Sequence, residues 1–161
     1  MALLRLVPAL ALGAALSQFP AFSDQYVQRL GGQADALRQV AAEFDASAEK
    51  AGLTRQAALD EIGGSAFLDL HQGDMRRVFQ RLSRVESDLG LLRAASPLER
   101  MLLPHRMRDA ETISATWGDF QPAVPLTVAG FWATGIGFLL GWLLAGLLAA
   151  PFRRDERPSW R

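Results

Sequence analysis

The chain of 161 residues balances 17 basic against 17 acidic side chains, is half hydrophobic, and contains no cysteine. The charge balance gives no ground for a nucleic-acid partner, and the missing cysteines exclude disulfides, thiolate metal sites and thiol nucleophiles. Such a length suits one small domain with anchors, and the charge is unevenly spread: Ser23 to Gln121 holds 12 basic and 15 acidic residues, whereas both ends are positive.

The first element is apolar. Leu6 to Leu16 runs without an ionisable side chain, about half the thickness of the hydrocarbon core. Two readings stay open. A helix from Ala2 to Phe22 would span a bilayer with Arg5 snorkelling to the head groups. Alternatively the segment is a secretory signal, with Ala21 and Ser23 supplying a small-x-small cleavage site.

The middle of the chain, residues 23–121, reads as an extramembrane pair of helices. Val27, Leu30, Ala34, Leu37, Ala41, Phe44, Ala48 and Ala51 keep a 3-4 alternation, as do Leu68, His71, Met75, Val78, Leu82, Val85, Leu89 and Leu92. This is coiled-coil spacing over two equal lengths, which predicts an antiparallel hairpin. Gly52 ends the first helix, Thr54 caps a short one that stops at Gly63-Gly64, and Ser65 caps the return helix. Gly31-Gly32 interrupts the first helix, as a local kink or the close crossing of a neighbour in the plainer reading and as a hinge in the sharper one. Ser96-Pro97-Leu98-Glu99 reads as a capping box for another short helix, stopped by Pro104. A last helix places Ala110, Ile113 and Trp117 on one side. Phe67, Leu70, Phe79 and Leu91 lie off the seam, so a second apolar face needs cover, from the short helices after Ser96 or from another subunit.

From Leu126 to Ala150 no residue is ionisable, giving roughly 38 Å of helix against a core of ~30 Å. Eleven of these residues are Leu, Ile, Phe or Val, each favouring insertion by about 0.3–0.6 kcal/mol. Small residues recur at every fourth position, namely Ala133, Gly137, Gly141, Ala145 and Ala149, and a shorter ladder of Ala9, Gly13 and Ser17 marks the first segment. Such stripes let helix backbones approach closely in lipid, so this one packs on the first span or on another copy of the chain. Arg153, Arg154, Arg157 and Arg161 follow the span, and positive flanks stay cytoplasmic. Arg5 places the N-terminus on the same side, and the acidic middle outside.

The expected fold is therefore an all-α membrane protein in which two transmembrane helices flank an extramembrane antiparallel helical hairpin with short helices. Its parts are an anchor over 1–22, the hairpin over 23–121, a C-terminal span over 122–152 and a basic tail over 153–161. No catalytic set accompanies it, and no cofactor or metal is implied. His71 has Asp69 and Asp74 near it, but lacks the further ligands that a metal site needs. The stretch His105-Arg106-Met107-Arg108 reads as a solvated turn or a contact with acidic head groups. Arg76, Arg77, Arg81 and Arg84 face Glu43, Asp45 and Glu49 in a predicted salt-bridged face. No Gly-rich phosphate loop, G-x-S-x-G or H-E-x-x-H occurs.

Three stretches carry a family resemblance. They are Ser17-Gln18-Phe19-Pro20-Ala21-Phe22 with Gln25-Tyr26-Val27-Gln28-Arg29-Leu30-Gly31-Gly32, then Ala51-Gly52-Leu53-Thr54-Arg55-Gln56-Ala57-Ala58, and finally Thr116-Trp117-Gly118-Asp119-Phe120-Gln121-Pro122 through Thr127. In these the chain resembles the domain of unknown function 2937 family, proteobacterial membrane proteins. The resemblance implies a two-span inner-membrane protein of unknown function, favours a retained first anchor and supplies no catalytic residues; the outside on which the flanking charges put the middle is the periplasm for a Gram-negative source.

Two functions compete. An accessory or structural protein would bind membrane lipids and either itself or another membrane protein, with Gly13, Ala133, Gly137, Gly141 and Ala145 as the packing residues. A membrane enzyme or lipid-handling protein would instead use Tyr26, Arg29, Trp117 and Asp119 at the outer interface. A pore is disfavoured, because the middle of the span offers only Thr134 and glycines as polar lining.

Overall fold

The computed structural model describes residues 2–122 and 126–149, so Pro125, Ala150 and the arginines of the predicted basic tail lie outside the described residues. The regular structure is entirely helical: α1 (Ala2–Ser17), α2 (Phe19–Lys50), α3 (Arg55–Glu61), α4 (Ala66–Ala94), α5 (Ala110–Asp119) and α6 (Val128–Ala149), with 3₁₀ turns at Glu99–Leu102 and Pro104–Arg106. Two compact units divide the chain. One comprises the described parts of Met1–Ser23, Pro97–Leu102 and Gln121–Arg161, the other Asp24–Ser96 and Leu103–Phe120.

The first unit is built on α1 and α6, two helices without a charged residue apart from Arg5. Their contacts run in opposite order. Gly13 lies against Thr134 and Phe138, Gly137 against Leu12 and Leu16, Gly141 against Pro8 and Ala9, and Gly146 against Arg5. The helices are therefore antiparallel, with small residues inward. Large apolar side chains point outward, among them Phe131, Trp132, Leu139, Leu143 and Leu147. Hydroxyls that an apolar medium would penalise are tied to their own helix: Ser17 Oγ donates to the Ala14 carbonyl at 2.6 Å and Thr134 Oγ1 to that of Gly130 at 2.7 Å.

The helix predicted over 2–22 breaks at Gln18. There a tight turn has Gln18 N–H donating to the Ala15 carbonyl at 3.2 Å. Pro20 lacks a donor, which the first turn of a new helix tolerates, and α2 starts there and carries the chain on into the second unit.

In the second unit the predicted seams are largely buried: Val27, Leu30, Ala34, Ala41 and Ala48 on α2, and Met75, Val85, Leu89 and Leu92 on α4. The contacts between the two helices include three that set their direction. The Arg93 guanidinium fits against Gly31, Arg38 Nε donates to Glu86 Oε1 at 2.6 Å, and the Phe44 and Phe79 rings meet edge to face at 5.4 Å. Positions rising along α2 thus meet positions falling along α4. Gly31-Gly32 does not interrupt α2; a Cβ at Gly31 would stand 2.7 Å from Arg93 Nη2, so the glycine makes room for a side chain rather than for a crossing helix.

The caps follow chemistry. Thr54 and Ser65 hydroxyls accept from the Ala57 and Leu68 N–H groups, and Gly52 and Gly64 take the positive φ values of +74° and +91° that reverse the chain.

Elsewhere the structure departs from the pattern. Leu68 and His71 are exposed rather than on the seam, because α3 takes over there: Gln72 Nε2 donates to the carbonyl of buried Leu59 at 2.7 Å, and His71 stacks on Phe67. Ser96–Glu99 opens a 3₁₀ turn and not an α-helix, since Pro104 follows too soon for an α-helix to propagate. On α5 the buried side is Thr112 and Thr116, while Ile113 and Trp117 face out. Thr116 can be buried because its hydroxyl donates to the Thr112 carbonyl at 2.7 Å. Phe79 is covered by Phe44 and by the Arg55 guanidinium 4.4 Å above its ring, whereas Phe67, Leu70 and Leu91 remain uncovered.

Candidate functional site

Two places were singled out by sequence, and each is resolved by its own unit. In the apolar pair, Ala133 is fully buried. A Cβ at Gly137 would stand 2.6 Å from the Leu12 carbonyl oxygen and 2.9 Å from Gly13 Cα; at Gly141 it would stand 2.6 Å from Ala9 Cα and 2.7 Å from the Pro8 oxygen. These obstacles are backbone and cannot swing away, so both positions require glycine. Gly13 returns the contact, its own missing Cβ lying 3.2 Å from the Thr134 oxygen. Ala145 sits half-buried at the edge of the stripe. The stripe is occupied by the chain's own first helix.

In the polar unit, the four interfacial candidates do not form one cluster. Tyr26 is fully buried, and its hydroxyl accepts the Asp109 N–H at 3.2 Å at the start of α5. Arg29 pairs with Asp119 at 2.6 Å at the other end of that helix. Trp117 projects outward. The two charges thereby neutralise each other, and the phenol is committed to holding backbone.

What Tyr26 leads to was not foreseen. Asp109 caps α5, accepting from Thr112 N–H at 3.0 Å and Thr112 Oγ1 at 2.8 Å, and takes a two-pronged contact from Arg81 Nε and Nη2, both at 2.9 Å. Arg81 Nη1 also reaches Glu111 at 2.6 Å. Nearby, Asp88 is buried on α4 and accepts from Arg108 Nε at 2.8 Å and Arg106 Nη1 at 3.3 Å. The run His105-Arg106-Met107-Arg108 therefore turns two of its charges inward, onto a carboxylate, and not toward head groups.

Arg76 and Arg77 of α4 are also spoken for differently than expected, while Arg84 lines the cavity beside the cluster. Arg76 pairs with Asp60 at 2.6 Å and Arg77 with Asp74 on its own helix, while Asp45 is held by Arg55. Proximity along the turn from α2 to α4 decides these partners, because the Ala-rich seam carries few long side chains that could reach across.

Charge and burial set the titration of the cluster. Burial raises Tyr26 above an ordinary tyrosine, and the carboxylates of Asp109 and Asp88 add to the rise, against the Asp109 N–H bond and the Arg108 charge. For Asp109 burial works against ionisation, but Arg81 and the two Thr112 donors outweigh it and hold the carboxyl below the usual range. A cavity of about 350 Å³ opens beside the cluster, lined by Leu30, Arg81, Arg84, Asp88, Arg108 and Glu111 among others. No group of three or more metal-ligating side chains gathers among the described residues.

One of the missed residues had a signal. Asp109 stands directly before a helix whose third residue is Thr112, an N-cap pattern. Asp88, between seam residues Val85 and Leu89, had none beyond the two arginines that follow some twenty positions later.

The class these features define is an all-helical protein with two helices long and apolar enough to cross a membrane, one near the N-terminus and one near the C-terminal end. The chain belongs to the family described as protein of unknown function (DUF2937), which matches residues 1–157. No curated protein and no solved structure matches it.

Proposed function

We propose that this is a two-span inner-membrane protein with a structural or accessory role and no catalytic centre of its own. One observation carries the membrane part: α1 and α6 hide their small residues and present their large apolar side chains outward. In water such a surface would far exceed the apolar patch a soluble monomer tolerates; in lipid it is the ordinary outer face of a helix pair. The tight fit of α1 against α6 favours retention of the first helix over its cleavage as a signal. Antiparallel spans leave both termini on one side, and Arg5 with the four arginines of the tail assigns that side to the cytoplasm. The hairpin of α2 and α4, with α5 pinned to it through Tyr26 and Asp109, then stands in the periplasm, and Trp117 marks the outer interface.

Because α1 occupies the Gly137–Gly141 stripe, partners meet other surfaces, and self-association through that stripe is disfavoured. The test is a native pull-down of the C-terminally tagged chain from its own membranes in mild detergent. A stoichiometric membrane partner supports the accessory role. A lone chain, without partner or second copy, overturns it.

The alternative of a membrane enzyme or lipid-handling protein draws support from the polar cavity beside Arg81 and Arg84, less from Arg29 and Asp119, which neutralise each other. A changed membrane-lipid profile in Arg84→Ala, with the fold intact, would move weight to that reading.

A further inference from the structure

The cavity beside Asp109 and Asp88 has a neighbour in the same polar unit. The first, of about 350 Å³, has Leu30 and Val85 among its walls, and the second, of about 400 Å³, has Leu37 and Val78. Arg81, Arg84 and Glu111 line both. Leu30 and Leu37 stand two turns apart on α2, as Val78 and Val85 do on α4, so the two cavities follow the crevice between these helices for roughly 10 Å. Their size is that of a pocket for a small organic molecule.

The charges along this crevice are matched, with one exception. Arg77 pairs with Asp74, Arg81 with Asp109 and Glu111, and Arg106 and Arg108 with Asp88. Arg84 lines both cavities and has no hydrogen bond or ion pair among the described residues. Gln80, one turn before it on the same face of α4, lines the second cavity and is likewise without a partner among them. An exposed arginine in open water needs no partner. Here, however, every carboxylate near enough to quench it is already held by another arginine. The crevice is left with one positive charge in excess and with unused N–H donors beside apolar walls.

We infer that this crevice binds a small organic oxyanion, a carboxylate or phosphate ester on an apolar body, with Arg84 and Gln80 as the donors and Leu37 and Val78 against the body. A guanidinium gives an oxyanion two parallel N–H bonds, and the side-chain amide adds a further donor. The unmatched positive charge selects an anion over a neutral or cationic ligand. The inference takes up the cavity to which the lipid-handling alternative appeals, but it depends neither on that alternative nor on the membrane reading, because a soluble anion satisfies the site and no lipid substrate enters the test.

The full-length chain in phosphatidylcholine nanodiscs is titrated calorimetrically with benzoate, phenyl phosphate and benzyl alcohol, each referenced to empty nanodiscs. Benzoate or phenyl phosphate is expected to bind saturably, at least about tenfold more tightly than the neutral alcohol. The tighter of the two names the head, carboxylate or phosphate ester. Arg84→Gln should weaken that binding at least about tenfold. Gln80→Glu is the second variant: it keeps Arg84 but sets a carboxylate one turn away from it, and should weaken binding about threefold or more with the helix retained, checked by circular dichroism. The site is overturned if neither anion saturates below about 10 mM, if binding is unchanged in either variant, or if benzyl alcohol binds as tightly as the anions. Any of these results leaves the accessory and lipid-handling readings to their own tests, the native pull-down and the lipid profile of Arg84→Ala.

Discussion

The two units of this chain are held together by opposite means. In the α1–α6 pair the decisive atoms are absent ones, the Cβ atoms that Gly137 and Gly141 lack. In the polar unit they are charged ends: Arg81 on Asp109, Arg106 and Arg108 on Asp88, Arg38 on Glu86. On the membrane reading proposed above, the difference follows from the medium each is suited to. Where apolar surface gains nothing by leaving its surroundings, association rests on close packing. In water a seam of Ala34, Ala41 and Ala48 buries little apolar area, and caps and ion pairs must fix the register.

The sharpest way to break this comparison is to fill the gap. Gly141→Leu is expected to cost about 3 kcal/mol or more of packing in the first unit and to separate α1 from α6, read as loss of cross-linking, by a long bifunctional reagent, between cysteines placed at the outward-facing Leu10 and Leu139. Gly135→Ala is the control: nothing lies within 4 Å of its Cβ position, so it should be neutral or slightly stabilising.

In the polar unit, Asp88→Ala leaves Arg106 and Arg108 without their buried carboxylate and should cost roughly 2 kcal/mol, measured by thermal unfolding with a probe on α4. The same variant should leave the α1–α6 cross-link untouched; loss of both would mean that the units are not independent.

Acid sharpens the contrast further. Since Asp109 is held below its unfolded value of about 3.9, its stabilisation is present above that pH and is lost as pH falls through the lower folded value. Asp45, lowered by Arg55, acts in the same direction. Tyr26, raised by burial, contributes below about pH 10 and loses its contribution as pH climbs past that. A label on α5 should thus report a falling melting temperature below about pH 4 and above about pH 10, and a label on α6 should report neither.

The smallest effect is expected from Arg29→Ala. Its pair with Asp119 is exposed, worth about 0.5 kcal/mol and screened by salt. A larger loss, above all in lipid-handling, would return these two residues to the status of a site.

The seams and the small-residue ladder were legible in sequence because each depends on spacing alone: every residue from Val27 to Ala48 at a seam position is at least half-buried. Partner identity was not legible. Nothing in the spacing of Gly137 and Gly141 distinguishes a helix of the same chain from one of another, and the contacts of Gly13 were needed to decide. Side-chain reach was hidden as well. Arg76 and Arg81 had acidic residues available on several elements, and the turn through α3 and the cap of α5 brought Asp60 and Asp109 closer than Glu43 or Glu49. On α5 the row Ala110, Ile113 and Trp117 was legible as one side of the helix, but which side is buried was not, because hydrophobicity ranks Thr112 and Thr116 too low for residues whose hydroxyls are already satisfied.

The pairing of α1 with α6 also fixes an order of events in biosynthesis. Of this pair α1 is made well before α6, so the fit of Gly13 against Gly137 cannot form until α6 has been made as well. Throughout that interval the first helix must wait alone, its glycine and alanine face unmatched, and closing so long a loop is entropically slow. On the membrane reading proposed above, a chain arrested before Val128 would display that face to other membrane helices.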